Sequence, residues 1–436
     1  MKNTFICLWC CLCFLICCKK ADEKLTSDPS AKLSFSRDTI FFDTLFTSVP
    51  NITKRLLVFN HNKNAVNVSH ISLEGLANSP YSLIINGKKS FSDSNVEIRG
   101  KDSIYILISV LLKPTDTTDA YIVSDKILFN TNGNIQSVAL ESFAQNANFF
   151  VNTQTGCDTT WTAGKPFVVY NKLTIPEGCK LTIEKGVKVL FHNDAVLKVE
   201  GTLIVNGEKG KEVLFGSDKR GRIYEDQPGQ WAGIQFTSKS KNNRVNFSII
   251  ENANTGISQE EVLDSDTIPE LILSNSILRN MKNEGLSLAA DTYLWNDLSY
   301  NILGNGILSK GKETVYIRHS TFAGYSFSFF RDYPLLNFSP SNGKTRIENS
   351  ILWGDRTNEV IPGGDFMVSN SIIRNFQPIP GNNNISKDPQ FISPFRLNFR
   401  PDSLSPAINS GLNLGILKDL DDKSRDEKPD LGAYEK

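Results

Sequence analysis

Glu251, Arg279, Tyr300, Trp353 and Arg374 occupy one position of a repeating segment, each standing one residue before a turn residue. Two chemistries can be asked of such a column. Cleavage of a polysaccharide needs carboxyl groups in pairs, two of them facing one cleft. The full column reads Glu251, Arg279, Tyr300, Ala323, Trp353, Arg374, so it holds one carboxylate and no partner for it. Glycan binding asks less. Rings of Tyr300 and Trp353 would lie against sugar C–H faces, and Arg279 and Arg374 would bond hydroxyl or carboxylate groups. These four are the expected ligand-binding residues, no catalytic residue is named, and ordinary surface decoration is the alternative.

Other candidates are scattered. Asp264 and Asp266, or Asp332 and Asp355, would form a carboxylate pair only through folding that the sequence does not reveal. His61, His70, His192 and His319 lack metal-ligand spacing. Asp419-Leu420-Asp421-Asp422 resembles a calcium-loop fragment but lacks the following Gly and terminal Glu. No metal and no cofactor is expected.

The elements that position the column are repeats across 245–375. Their turn residues are Asn252, Asn280, Asn301, Gly324, Gly354 and Asn375, types that tolerate a left-handed backbone. Seven positions earlier stand Val245, Leu273, Leu294, Ile317, Ile347 and Val368, an aliphatic column that reads as core. Five positions earlier stand Asn275, Asn296, Asn349 and Asn370, broken by Phe247 and His319, which implies a second bend. Spacings of 28, 21, 23, 30 and 21 residues indicate coils of a parallel β-helix, with a right-handed winding expected. Stacked coils let Asn side chains form ladders. The long spacings contain insertions, 258–269 and 331–344, expected as surface loops.

Alternation assigns the faces. Ile250, Leu278, Phe322, Leu352 and Ile373 point inward with Ser248, Ser276, Ser320, Ser350 and Ser371. Ile249, Ile277, Leu298, Thr321, Ile351 and Ile372 then form an outer apolar strip that something must cover. The expected cover is the 331–344 loop, through Tyr333, Leu335, Leu336 and Phe338. The N-terminal domain and an external partner are the alternatives.

The 436 residues suffice for two or three domains, and 47 basic against 47 acidic residues, unstriped, give no basis for nucleic-acid binding. Met1-Lys2 and the uncharged run from Phe5 to Cys17 read as a secretion signal over 1–17, too short for a comfortable membrane span. Leu15-Ile16-Cys17-Cys18 resembles a bacterial lipobox, with Cys17 in place of the usual Gly, Ala or Ser. That resemblance implies lipidation at Cys18, a tether over 18–30, and a membrane partner held through acyl chains. An ordinary cleaved signal is the alternative. Cys157 and Cys179 lie one coil apart, within disulfide reach in an oxidising compartment.

Short strands such as Arg55–Asn60, Tyr81–Ile85 and Ser103–Ile108 indicate a β-sandwich over 31–147, which resembles the immunoglobulin-like domains of bacterial surface proteins. Residues 150–436, with Asp388-Pro389-Gln390-Phe391, Ser405-Pro406-Ala407 and Asp430-Leu431-Gly432-Ala433-Tyr434, resemble right-handed parallel β-helix proteins of the pectate-lyase-like group. The last of these stretches reads as a C-terminal cap. The expectation is an all-β, non-catalytic surface lipoprotein whose β-helix binds a polysaccharide or surface protein. It would sit on the outer membrane or cell surface of a Gram-negative bacterium, with the periplasmic face as an alternative. A polysaccharide lyase or glycoside hydrolase and a structural spacer are the competing readings.

Overall fold

A computed structural model describes residues 23–47, 53–118, 120–219, 223–262, 268–327, 329–340 and 343–436. The signal segment, Cys18, Asp264 and Asp266 lie outside them. The regular structure of the described residues is almost entirely strand, and the chain divides into two compact units, 1–146 and 147–436. No described helix is long and apolar enough to cross a membrane.

The first unit has two sheets. One contains Ala65–Leu73, Tyr121–Thr131, Asn134–Gln145 and Thr39–Phe46, and the other contains Lys54–Asn60, Asp102–Val110 and Tyr81–Ile85. Alternate residues such as Val58, Ile106 and Leu83 of one sheet and Ile71, Phe129 and Leu140 of the other share a single core. Part of the 18–30 stretch expected as a tether packs on this unit. Leu25–Thr26 pairs in parallel with Ala65 and Val66, and Asn134 donates to the Pro29 carbonyl at 2.7 Å. Paired backbone of this kind is held in place rather than free to swing.

The second unit is built from long parallel sheets, as in a β-helix. Three rows of strands stack in register. The first row runs from Thr159–Trp161 to Gly381–Asn382, the second from Val213–Ser217 to Ile372–Ile373, and the third from Gly233–Phe236 to Val360–Ile361. Lys188–Val199 serves two rows, pairing with Val213–Ser217 through its first half and with Gly233–Phe236 through its second. The turn between rows one and two falls at Phe247, Asn275, Asn296, His319, Asn349 and Asn370, all with positive φ. The column read as the second bend is therefore left-handed in every coil. The column read as the main bend is left-handed only at Asn252, Asn280 and Asn301.

The expected core column, Val245 to Val368, is buried together with Ile250, Leu278, Phe322, Leu352 and Ile373. Beside it runs a polar ladder. Ser276 Oγ accepts from the Ser248 N–H at 3.1 Å, Asp297 Oδ1 from Ser276 at 2.9 Å, and Ser320 Oγ from Asp297 at 3.2 Å. Ser350 and Ser371 continue the series at 3.2 and 3.0 Å. Each side chain satisfies a buried N–H of the coil before it, which would otherwise cost about 1–3 kcal/mol. Asp297 fills the serine column in its own coil, and burial pushes its carboxyl well above the usual range.

The outer strip exists, but its cover is different from the one expected. Leu336–Phe338 is a third-row strand, paired with Ile307–Ser309 and Val360–Ile361, and Leu335, Leu336 and Phe338 join the interior. Their apolar character serves the core, so they are unavailable as a cover. The true insertion precedes them. Leu298, Ile351 and Ile372 are instead sealed by Phe391, Phe399, Leu420, Leu431 and Tyr434. The C-terminal segment, expected as a cap, thus also lies along the flank of the coils. Its Leu412 carbonyl accepts from Asn349 at 2.7 Å, its Lys418 carbonyl from Asn296 at 2.6 Å, and its Asp421 pairs with Lys209 at 2.7 Å.

Candidate functional site

Parallel register places the proposed binding column in one line: Glu251 beside Arg279, then Tyr300, Ala323 and Trp353. Arg279 Nε donates to Glu251 Oε2 at 2.9 Å and its Nη1 to Tyr300 Oη at 3.1 Å. Burial works against the Arg279 charge, but Tyr300 and Glu251 outweigh it and raise the pKa. The guanidinium of Arg374 lies 5.5 Å from the Trp353 ring and donates to the Gly354 carbonyl at 2.7 Å. The rings do not present open faces. Tyr300 is 6% and Trp353 8% exposed, both within the cluster sealed by the C-terminal segment.

An open cleft lies immediately beyond this column, where the chain leaves the second row at Gly324 and Gly354. Its volume is about 420 Å³, and Ser326, Phe330, Arg331, Asp355, Arg356, Thr357 and Asn358 line it. A second hollow of about 390 Å³ shares Arg356 and Asn358 and extends to Pro334, Ile361, Asn375 and Gln377. The wall is a buried ion pair: Arg331 Nη2 to Glu359 Oε1 at 2.6 Å, with side chains 3% and 0% exposed. Glu359 also accepts from Arg356 N at 3.0 Å and Leu335 N at 3.2 Å, while Arg331 donates to the Gly324 carbonyl at 2.8 Å and to that of Tyr333.

This pair explains the two glycines. Neither Gly324 nor Gly354 has a positive φ, so a left-handed turn is not the reason for them. A Cβ at Gly324 would strike the Arg331 guanidinium, and one at Gly354 would strike the Glu359 carboxylate. Glycine is needed there for room.

The floor is polar and the rim aromatic. Asp355 Oδ2 accepts from the Ser326 N–H at 2.7 Å, and Arg356 Nη1 donates to Asp332 Oδ1 at 3.2 Å. Asp355 thus lines the cleft, while Asp332 reaches it only through Arg356. Phe330, 81% exposed, lines the cleft, and Phe376, 84% exposed, is tied to it through its backbone, donating its N–H to the Thr357 carbonyl at 3.1 Å. Nearby, Tyr325 and Phe327 stack at 5.2 Å and Phe327 meets Phe395 edge-on at 5.4 Å. Burial first, then Asp388 and Asp355, push the Tyr325 phenol up, so it stays a neutral donor. Tyr325 and Phe376 share the position after the turn residue, but that column otherwise holds Ala253, Met281, Ile302 and Asp355, and Phe327, Phe330 and Phe395 keep no coil period, so spacing did not single them out. The repeated offset of Gly324 and Gly354 was the available signal.

The remaining candidates are dispersed. His319 is buried and its Nε2 accepts from Asn349 Nδ2 at 2.8 Å, His192 meets Asp218 at 2.8 Å, His70 meets Ser94 at 3.0 Å, and His61 stacks on Phe59. Asp419 accepts backbone N–H groups of Asp421 and Lys423, and Asp421 and Asp422 are paired with Arg400 and Lys418. No cluster of three or more metal-capable side chains occurs among the described residues. Cys157 and Cys179 are joined, with Cα atoms 4.6 Å apart.

No protein-family model and no curated protein matches the chain. Among solved structures it is similar to a PapD-like domain of human CEP192, 14% identical over 30% of this chain and 96% of that one, TM-score 0.20. It is also similar to the VesB protease of Vibrio cholerae, 11% identical over 27% of this chain and 32% of that one, TM-score 0.17. A family 123 glycoside hydrolase from Clostridium perfringens is 8% identical over 28% of this chain and 30% of that one, TM-score 0.19. The chain spans about a third of the length of the latter two. These scores carry no argument about function.

Proposed function

We propose that this protein is a surface lipoprotein, lipidated at Cys18, whose right-handed β-helix binds glycan through the cleft lined by Phe330 and Asp355. In chain order the immunoglobulin-like first unit follows the anchor and precedes the β-helix, and the setting is the outer membrane or cell surface of a Gram-negative bacterium. One observation carries the reading: the highly exposed Phe330 lines the cleft with Asp355, Thr357 and Asn358, and the equally exposed Phe376 is tied by its backbone N–H to Thr357. Apolar ring faces meet sugar C–H groups, and the floor supplies acceptors and donors for hydroxyls. Of the column Arg279, Tyr300, Trp353 and Arg374, none lines the cleft, and Arg374 comes nearest through its bond to the Gly354 carbonyl, next to Asp355. The test is retention of the full-length protein by a panel of immobilised polysaccharides, with Phe330→Ala and Phe376→Ala expected to abolish it. Wild-type retention unchanged by both substitutions sinks the reading.

A second reading, glycoside hydrolysis, rests on Asp355 in the cleft and on Asp332 bonded to the lining residue Arg356. Analysis of the bound polysaccharide for new reducing ends separates the two. Intact polymer is expected.

A further inference from the structure

We propose that the ligand of this cleft is an uncharged glycan, an inference that rests on the glycan-binding reading above. Charge pairing in the cleft carries it. Arg331 is neutralised by Glu359 at 2.6 Å, deep in the wall, and Arg356, partly exposed, makes a single contact with the exposed Asp332 at 3.2 Å. Asp355 is the one charged lining group without an oppositely charged partner among the described residues, and it accepts from the Ser326 N–H. The neighbouring cation without a carboxylate partner, Arg374, is turned onto the Trp353 ring and the Gly354 carbonyl.

A site for uronates needs the reverse arrangement. Carboxylate-bearing sugars are held by guanidinium groups free to bind them in two-point fashion. Here both lining guanidiniums are engaged, and the unmatched charge is negative. A uronate carboxylate entering beside Asp355 would meet like-charge repulsion and lose its hydration without compensation. Neutral hydroxyls suit the site. Asp355 and Asn358 accept from them, Thr357 and Asn358 donate, and the exposed rings of Phe330 and Phe376 take the apolar sugar faces.

The experiment is affinity electrophoresis of the full-length protein in gels containing β-glucan, mannan or xylan, and in gels containing polygalacturonate or alginate, at low and at 0.15 M salt. Retention by at least one neutral polymer, at least tenfold tighter than by either acidic one, is expected. Acidic polymers retained as tightly or more tightly overturn this inference and leave glycan binding standing. Retention by none of the polymers overturns the glycan reading, and this inference with it. Asp355→Asn keeps an oxygen for the Ser326 N–H and removes the charge, so the neutral-over-acidic preference should shrink about tenfold. An unchanged preference in a variant that melts with the wild type refutes the role given to Asp355. If that variant melts early, Phe330→Ala, whose side chain is exposed, gives the readout through loss of neutral-polymer retention.

Discussion

The ring of Phe399 lies 5.2 Å from that of Tyr300, and this contact, far apart in sequence, fixes the C-terminal segment onto the flank of the coils. Phe399 also meets Phe391 at 5.5 Å and is almost fully buried. Phe399→Ala should destabilise the second unit by about 3–5 kcal/mol, the usual range for a buried phenylalanine. Urea unfolding measures it. Binding of a hydrophobic dye by the folded variant would report the uncovered strip of Leu298, Ile351 and Ile372. A loss below 1 kcal/mol would mean that the segment does not hold the strip closed.

How far the sequence revealed this arrangement depends on the range of the interaction. The column from Val245 to Val368 was legible because one physical demand, filling the interior, recurs at every coil. The turn at Phe247 and His319 was less so, since these residues adopt positive φ where Asn would be easier, and residue type alone ranked the neighbouring Asn252 column above them. The ladders confirm that stacking matters: Asn280 donates to Asn252 at 2.9 Å, and Asn296 to Asn275 at 3.0 Å. The Phe399–Tyr300 contact was illegible because nothing local encodes it. The cleft was half visible, through Gly324 and Gly354, but clearance for a buried ion pair and a left-handed turn select the same residue.

His319 should make stability depend on pH. Burial first, then the Arg425 charge, lower its pKa from 6.5 to about 3, so it is neutral in the folded protein. The unfolded chain therefore binds the extra proton between pH 6.5 and about 3, and this contribution to stability is complete above 6.5 and falls by about 1.4 kcal/mol per pH unit below it. His319→Asn accepts from Asn349 in the same ladder and removes the titration. At pH 4.5 the wild type should lose about 2–3 kcal/mol relative to this variant, compared with pH 7.5. Parallel pH profiles in chemical denaturation would contradict it.

The Cys157–Cys179 bond ties neighbouring coils at the start of the second unit. Closing a loop with a sequence separation of 22 should contribute about 3 kcal/mol. The Cys157→Ala, Cys179→Ala double variant should unfold at correspondingly lower denaturant, and reduction should bring the wild type to the same midpoint. Full alkylation of both thiols in the native, unreduced protein would show that no bond forms.

Lipidation at Cys18 is tested by mass. The mature N-terminal peptide should begin at Cys18 and carry acyl chains, and Cys18→Ala should shift the protein from the membrane to the soluble fraction. An unmodified terminus at another residue excludes the anchor. Binding by the cleft, which lies in the second unit, should survive that substitution.

Arg331 and Glu359 form the most deeply buried ion pair among those described, and the cleft depends on it. Glu359→Gln keeps the size of the side chain and removes its charge, leaving the Arg331 guanidinium in the interior without a counter-charge. Breaking one side of such a pair typically costs about 3–5 kcal/mol. The Gly324 and Tyr333 carbonyls that Arg331 also contacts offset part of this. A double variant, Arg331→Met with Glu359→Gln, removes the stranded charge and should recover much of the loss, because an apolar replacement of a buried pair is often close to neutral. The two single variants and the double form a cycle, and a coupling of at least 1.5 kcal/mol is expected in urea unfolding. Both single variants should also weaken polysaccharide retention, since Glu359 holds the backbone of Arg356 and Leu335 in the cleft wall. Additive losses would mean that the two residues act independently, and full retention by Glu359→Gln would separate the pair from the binding site.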